Sequence, residues 1–375
     1  MANVLVLGGG FGGITAAERL AKKLGIEHQI TLVSRESRFV FHPAMVRLAF
    51  GKCAPDDVSF DLREAMFDRR IGFVQAEVAR VAPHAKRVLL SHGEVQGDMP
   101  YDYLIFAMGR RLATELVPGF FEHSHHLLTV DAALKFGEAI QSFRHGRVVL
   151  GSCPGARLTV PVYETAFALS RLLEARGERV KTKITIVSPH SPTDQFGDVE
   201  LSRKLRAALT AHGVELLQDF PINHVGAGAV QTSDNRYLKY DLLMLIPPFQ
   251  GSGALARTGL TDDEGYVRVD RKMRVPEAEG MYSVGDGVNF EGPKMGHMAV
   301  HQAEIAADNV VAEIEGRRPT AEYEHEMMLV IDEGNADSIY MHKKLWTGNG
   351  ADVKRGRFWR WAKLAQEKHW SAQHS

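Results

Sequence analysis

The run Asn3-Val4-Leu5-Val6-Leu7-Gly8-Gly9-Gly10-Phe11-Gly12-Gly13 constrains this chain more than any other stretch. A short apolar strand enters glycines at the Gly8-x-Gly10-x-x-Gly13 spacing, and Ala16, Ala17, Leu20 and Leu24 then recur at helical spacing. Gly8 allows a tight turn, Gly10 lets main chain approach a pyrophosphate, and Gly13 lets the helix pack closely on the strand. The helix start offers unpaired N–H groups and partial positive charge to phosphate. His28 to Val33 reads as a second strand, so the chain opens with a βαβ unit built to hold a dinucleotide.

The alternation continues. Ile71–Gln75, Arg87–Leu90 and Tyr103–Ala107 read as strands. Arg147–Leu150, Lys183–Val187, Val214–Leu217 and Leu242–Ile246 follow as strands, with helices over Val162–Ala175 and Leu201–His212. Residues 281–284 form a last strand before a long helix, His297–Glu315. The expected class is α/β with two Rossmann-like dinucleotide-binding domains. The first is discontinuous, residues 1–115 and 280–320; the second spans 116–279, and residues 321–375 form a C-terminal membrane-associating region. A length of 375 residues, 45 % hydrophobic and 24 % charged, accommodates this and excludes a disordered chain.

With 45 basic and 46 acidic residues, no global field draws the chain to nucleic acid. No apolar run approaches the roughly 18–20 residues of a spanning helix. The first apolar run ends in glycines rather than a cleavage site, so it reads as a strand of the mature fold. The expected location is the cytoplasmic side, with peripheral (monotopic) membrane contact. No cluster of metal-ligand spacing is expected to bind a metal.

The fingerprint places an acid at the end of the second strand, where this chain has Ser34, with Glu36 two residues on. Either Glu36 reaches the ribose or Ser34 replaces it with a neutral hydrogen bond. Gly285-Asp286 delivers a carboxylate to the same crevice from a later strand, suited to a ribityl chain; an Asx-turn or helix cap is the alternative. The two segments together favour FAD over a lone nicotinamide nucleotide.

Four stretches carry a family likeness: Ser34-Arg35-Glu36-Ser37-Arg38-Phe39-Val40-Phe41-His42-Pro43, Tyr101–Gly109, Leu245-Ile246-Pro247-Pro248-Phe249-Gln250-Gly251, and Val284-Gly285-Asp286-Gly287 with Gly292-Pro293-Lys294-Met295-Gly296-His297. The chain resembles the sulfide:quinone oxidoreductase family, related to flavocytochrome c sulfide dehydrogenase and type II NADH:quinone oxidoreductase. The resemblance implies an FAD-dependent oxidoreductase that holds its cofactor through Gly8, Gly10, Gly12, Gly13, Ser34, Arg35, Pro43, Val78, Gly109, Gly285, Asp286 and Lys294. Pro43 would lie near the isoalloxazine. Lys294 and the helix after it would aim positive potential at the flavin edge that gains negative charge on reduction.

The same resemblance makes Cys153 one of a redox pair at the flavin, with sulfide or another small sulfur compound as donor. A buried inert thiol is the alternative reading. The chain departs from the family here: no cysteine follows Cys153, and Met328–Gly334 offers only apolar and acidic groups. Cys53 is the sole other thiol, expected along a helix about 15 Å from His42-Pro43. Gln195 replaces a histidine before Phe196-Gly197, leaving His190 or Glu164 as a base. Gly151 and Gly155 survive from a second nucleotide fingerprint broken by Ser152, Cys153 and Pro154, which disfavours NADH. The competing readings are a type II NADH:quinone oxidoreductase and a flavoprotein of weakened catalysis acting as partner or sensor.

Between Val353 and Ser371 lie six Lys or Arg, one acid and three of the four tryptophans. Phe358, Trp361, Ala362 and Ala365 share a helical face opposite Arg360, Lys363 and Glu367. This suits an interfacial helix on an anionic leaflet, with quinone as acceptor. Docking on the chain's own body, or a homo-oligomer contact, are the alternatives.

Overall fold

A computed structural model describes the chain except residues 335, 336, 349 and 375. Its largest sheet has seven strands in the order Met281–Ser283, Tyr103–Phe106, Asn3–Leu7, Gln29–Ser34, Gly72–Ala82, Arg87–Gly93 and Gly97–Pro100. The first five run parallel and the last two return antiparallel. The inner strands, NVLVL and YLIF, are covered on both faces, which is why they read as continuous apolar runs rather than alternating ones. The helices Phe11–Lys23 and Gly296–Ile314 pack together on one face. Arg19 forks onto Asp308 across them, with Nε at 2.6 Å and the second nitrogen at 2.8 Å.

A second, wholly parallel sheet follows the order Val214–Leu217, Thr182–Val187, Gly146–Ser152, Leu242–Ile246. Helix Val160–Ala175 packs on it, its inner face carrying Tyr163, Phe167 and Leu173. The antiparallel strands Ile222–Gly226, Ala229–Thr232 and Tyr237–Lys239, like the helix Val130–Ser142, have no counterpart in the periodicity reading. The strand expected at 71–75 runs on to Ala82 because its second half leaves the parallel sheet to pair with Arg87–Gly93.

The tail differs from a single surface helix. It opens as an antiparallel sheet, Glu326–Asp332, Ser338–Lys344 and Ala351–Arg355, and then forms the helix Arg357–His374. The helix's charged face turns inward. Lys363 Nζ lies 2.6 Å from Glu164, Arg360 Nε 2.9 Å from Asp332, and Arg47 reaches Glu367 at 2.6 Å. Trp370 enters a ring cluster of Phe11, Phe39, Phe41 and Phe60. Phe358 and Trp361 are left outside, 62 % and 66 % exposed. No helix among the described residues is long and apolar enough to cross a membrane.

Candidate active site

The carboxyl ends of three neighbouring strands meet in one crevice. Leu7 leads into Gly8, Phe106 into Ala107-Met108-Gly109, and Ser283 into Val284-Gly285-Asp286. The Gly8 N–H donates to Val33 (2.7 Å), Ala107 N–H to Leu7, and Val284 N–H to Phe106, locking the three ends in register. The glycines are required for different reasons. Gly8 has φ +109° and a side chain there would strike the Ala107 carbonyl at 2.3 Å. A Cβ on Gly13 would sit 1.8 Å from the Gly8 oxygen. At Gly10 a Cβ meets nothing within 4 Å, so that glycine faces the crevice itself, at the cap of helix Phe11–Lys23. This is the arrangement a dinucleotide pyrophosphate needs. Gly12 instead packs toward Val284 and Ala299, tying the two segments together.

Ser34 ends its strand buried, its hydroxyl against Gly9, where a neutral contact to the cofactor ribose is available. Glu36 turns away to pair with Arg35 at 2.9 Å, and both are exposed. Val78 lies half-buried on Gly72–Ala82, beyond the residues that pair with the second strand. Pro43 sits in a single helical turn, His42–Ala44, and is solvent-reachable. So is its neighbour His42, although burial is the main cause lowering its pKa, with Arg110 adding to it and Asp286 opposing. A residue set deep in the molecule yet open to solvent lines a cleft. Asp286 is ion-paired with Arg110, whose guanidinium lies 4.1 Å over the Phe249 ring.

Lys294 is buried, its ammonium donating to the carbonyls of Val288 and Phe290, the latter at 3.0 Å. Burial first, then Arg157, lowers its pKa to about 8. It shares a cavity of about 10 Å³ with Asp286, Gln302 and His325. The glycine turn, the buried Ser34, the Asp286 carboxylate and the Lys294 ammonium fit FAD, each at one part of that molecule.

Cys153 lies at the end of the second sheet, away from solvent. Its side chain is fully buried in an apolar cluster with Val117, Phe120, Val149 and Phe220, and burial pushes its pKa up to about 12. Both cysteines are free, and Cys53 packs in a different cluster. The expected helix to Cys53 stops at Ala49. Burial of this kind disfavours the thiolate that nucleophilic sulfur chemistry requires, in keeping with the alternative of an inert thiol. Glu164 is likewise committed, to Lys363 and to the Asp332 N–H at 2.8 Å. His42, Arg110 and His325 carry no expectation from the sequence; adjacency to Pro43 and Gly109 is the one signal for the first two.

Two Rossmann-type sheets, with the glycine crevice on the first, define an FAD-dependent oxidoreductase. The chain belongs to the pyridine nucleotide-disulphide oxidoreductase family, whose model matches residues 2–307. It is 28 % identical over 334 residues to the sulfide-quinone reductase of Aquifex aeolicus, covering 83 % of this chain and 76 % of that one. It is 22 % identical over 363 residues to an alternative NAD(P)H-ubiquinone oxidoreductase of Arabidopsis thaliana, covering 84 % and 68 %. The X-ray structure of the Aquifex aeolicus sulfide:quinone oxidoreductase superposes with a TM-score of 0.91 at 25 % identity, covering 98 % of this chain and 90 % of that one.

Proposed function

We propose that this oxidoreductase takes two electrons from a small anionic sulfur donor and passes them to a quinone while resting against a membrane surface. The observation that carries the reading is the likeness to the Aquifex enzyme along nearly the whole chain, tail included. Bound FAD supplies a two-electron acceptor and donor. The chain's part is to hold it by Gly8, Gly10, Gly13, Ser34 and Asp286, and to keep the Lys294 cation beside it.

Burial disfavours the Cys153 thiolate, which supports a new S–S bond formed between donor molecules rather than on the protein. Two hydrosulfide ions give one hydrodisulfide ion, one proton and two electrons. His42 and Arg110 on the crevice wall are the polar groups placed to meet such an anion. Against a nicotinamide donor stands the second sheet. Its strand Gly146–Ser152 reaches its helix only at Val160, through a loop containing Pro154, whereas Leu7 turns into Phe11 through glycines alone. The outward Phe358 and Trp361, beside Arg357 and Lys368, support the membrane contact.

The test is an anaerobic titration of the purified holoprotein followed by flavin absorbance. Sulfide should bleach the flavin and a short-chain ubiquinone should restore it. Bleaching by NADH with no response to sulfide would overturn the reading.

A further inference from the structure

Lys294 is a buried ammonium that makes no ion pair among the described residues. Two main-chain carbonyls, those of Val288 and Phe290, accept from its Nζ. A charge taken out of water needs more compensation than that. The remaining contact is aromatic: Nζ lies 5.0 Å from the centre of the Tyr266 ring. The Arg157 guanidinium lies over the same ring at 4.7 Å, but it has a carboxylate of its own, Glu264 at 2.9 Å. Lys294 has the ring instead.

The ring is set by the main chain around it. Gly265 turns with φ +85°, and a Cβ on Gly251 would strike its carbonyl at 1.8 Å, so this turn packs directly on strand Phe249–Gly251. The Tyr266 N–H donates to Asp262 Oδ1 at 2.8 Å. Val267 then donates to the Gly287 carbonyl at 2.8 Å and accepts from the Asn289 N–H at 3.0 Å, which anchors Tyr266 to the turn that carries Asp286. Tyr266 is fully buried, and its hydroxyl finds no hydrogen-bond partner among the described residues. What it offers is the negative face of its ring, which attracts a desolvated cation more strongly than an exposed one.

The other charged groups around Lys294 do not fill this role. Arg157 and Arg110 oppose its charge. Asp286 and Asp262 favour it without pairing with it, and both are engaged elsewhere, Asp286 by Arg110 and Asp262 by the Tyr266 main chain. His325 faces it across the small cavity, and burial lowers that imidazole's pKa. We infer that Tyr266 is a positioning residue: its ring face holds Lys294 in place as a cation. Its bearing on the reaction rests on the reading of Lys294 as the cation beside the flavin.

The measurement is a pH titration of the holoprotein isotope-labelled at lysine Cε and read by NMR, with the Lys294 signal assigned by its loss in Lys294→Met. The flavin midpoint potential is followed over the same pH range. Neither sulfide nor quinone is used, so the outcome is independent of the donor and acceptor proposed above. Tyr266→Leu removes the ring, and Tyr266→pentafluorophenylalanine keeps its size while reversing the charge of its face. Each should lower the Lys294 midpoint by about one pH unit, which is tenfold in its protonation equilibrium. Tyr266→Phe should hold the wild-type midpoint, because the hydroxyl is unpartnered. The break in flavin potential should move with the Lys294 midpoint. A Lys294 midpoint left unchanged by both ring variants overturns the inference. A midpoint that falls while the break in potential stays upholds the inference and overturns the placing of Lys294 beside the flavin.

Discussion

The indole of Trp370 lies 4.8 Å from the ring of Phe11, the first residue of the helix that follows the glycine turn. The last helix of the chain is thus packed on the first. Trp370 also touches Phe39 at 4.6 Å and Phe41 at 5.9 Å, on the segment leading to Pro43. Truncating a large aromatic in such a cluster costs about 3 kcal/mol. Trp370→Ala should lower the unfolding midpoint and loosen FAD, measured by thermal denaturation and released flavin fluorescence. Trp370→Phe should be nearly neutral, because the indole N–H is buried with no hydrogen-bond partner among the described residues.

Gly10 and Gly13 make separable predictions. Gly13→Ala drives a methyl into the Gly8 carbonyl and should destabilise the protein with or without cofactor. Gly10→Ala meets no protein atom, and its φ of −90° suits alanine. It should leave the melting temperature of the FAD-free protein unchanged while abolishing FAD binding, because the space belongs to the pyrophosphate. Equal affinity in Gly10→Ala and wild type would move the cofactor elsewhere.

These two glycines show what was legible in advance. The turn, its strand and its helix are local, so spacing alone locates them, and Gly285-Asp286 is recognisable for the same reason. His325 was not legible, because its place depends on the fold contact that brings it to the Glu291 carbonyl and to the cavity of Lys294. The tail was half legible: its amphipathic helix exists, but which face docks depended on acids at 164 and 332 in distant elements. Cys153 is legible only as a place after a strand, because the direction of its side chain depends on packing with Val117, Phe120 and Phe220 from distant elements.

A thiol pushed up to about 12 is roughly one part in 10⁴ thiolate at pH 8. Native protein treated with iodoacetamide at that pH should carry no label on Cys153 by mass spectrometry, and the residue should react only after unfolding. Cys153→Ala should reduce its flavin with sulfide at the wild-type rate, at some cost in stability. A hundredfold loss of rate would restore the thiol to the mechanism.

Lys294 gives a pH dependence. Burial depresses its pKa to about 8, so the folded state disfavours the ammonium. For a depressed pKa, the associated stability is complete above the unfolded value near 10.5 and is lost as pH falls through about 8. The cation beside the flavin follows the opposite course, being present below pH 8 and lost above it. Reduced flavin should therefore be favoured below pH 8. The midpoint potential should show an added break near that pH, absent in Lys294→Met, whose potential should be lower throughout the acid range.

Phe358 and Trp361 project from a helix whose charged side faces the protein, reversing the usual disposition of a surface helix. Large apolar side chains left in water on such a helix are accounted for if they enter another apolar phase, and the neighbouring Arg357 and Lys368 favour an anionic one. Phe358→Ser with Trp361→Ser should abolish co-sedimentation with phosphatidylglycerol vesicles. The unfolding midpoint should move little, because both rings are mostly exposed. Quinone reduction should fall with a vesicle-embedded long-chain quinone and persist with a water-soluble analogue. Undiminished vesicle binding by the double variant would assign these rings to a contact other than lipid.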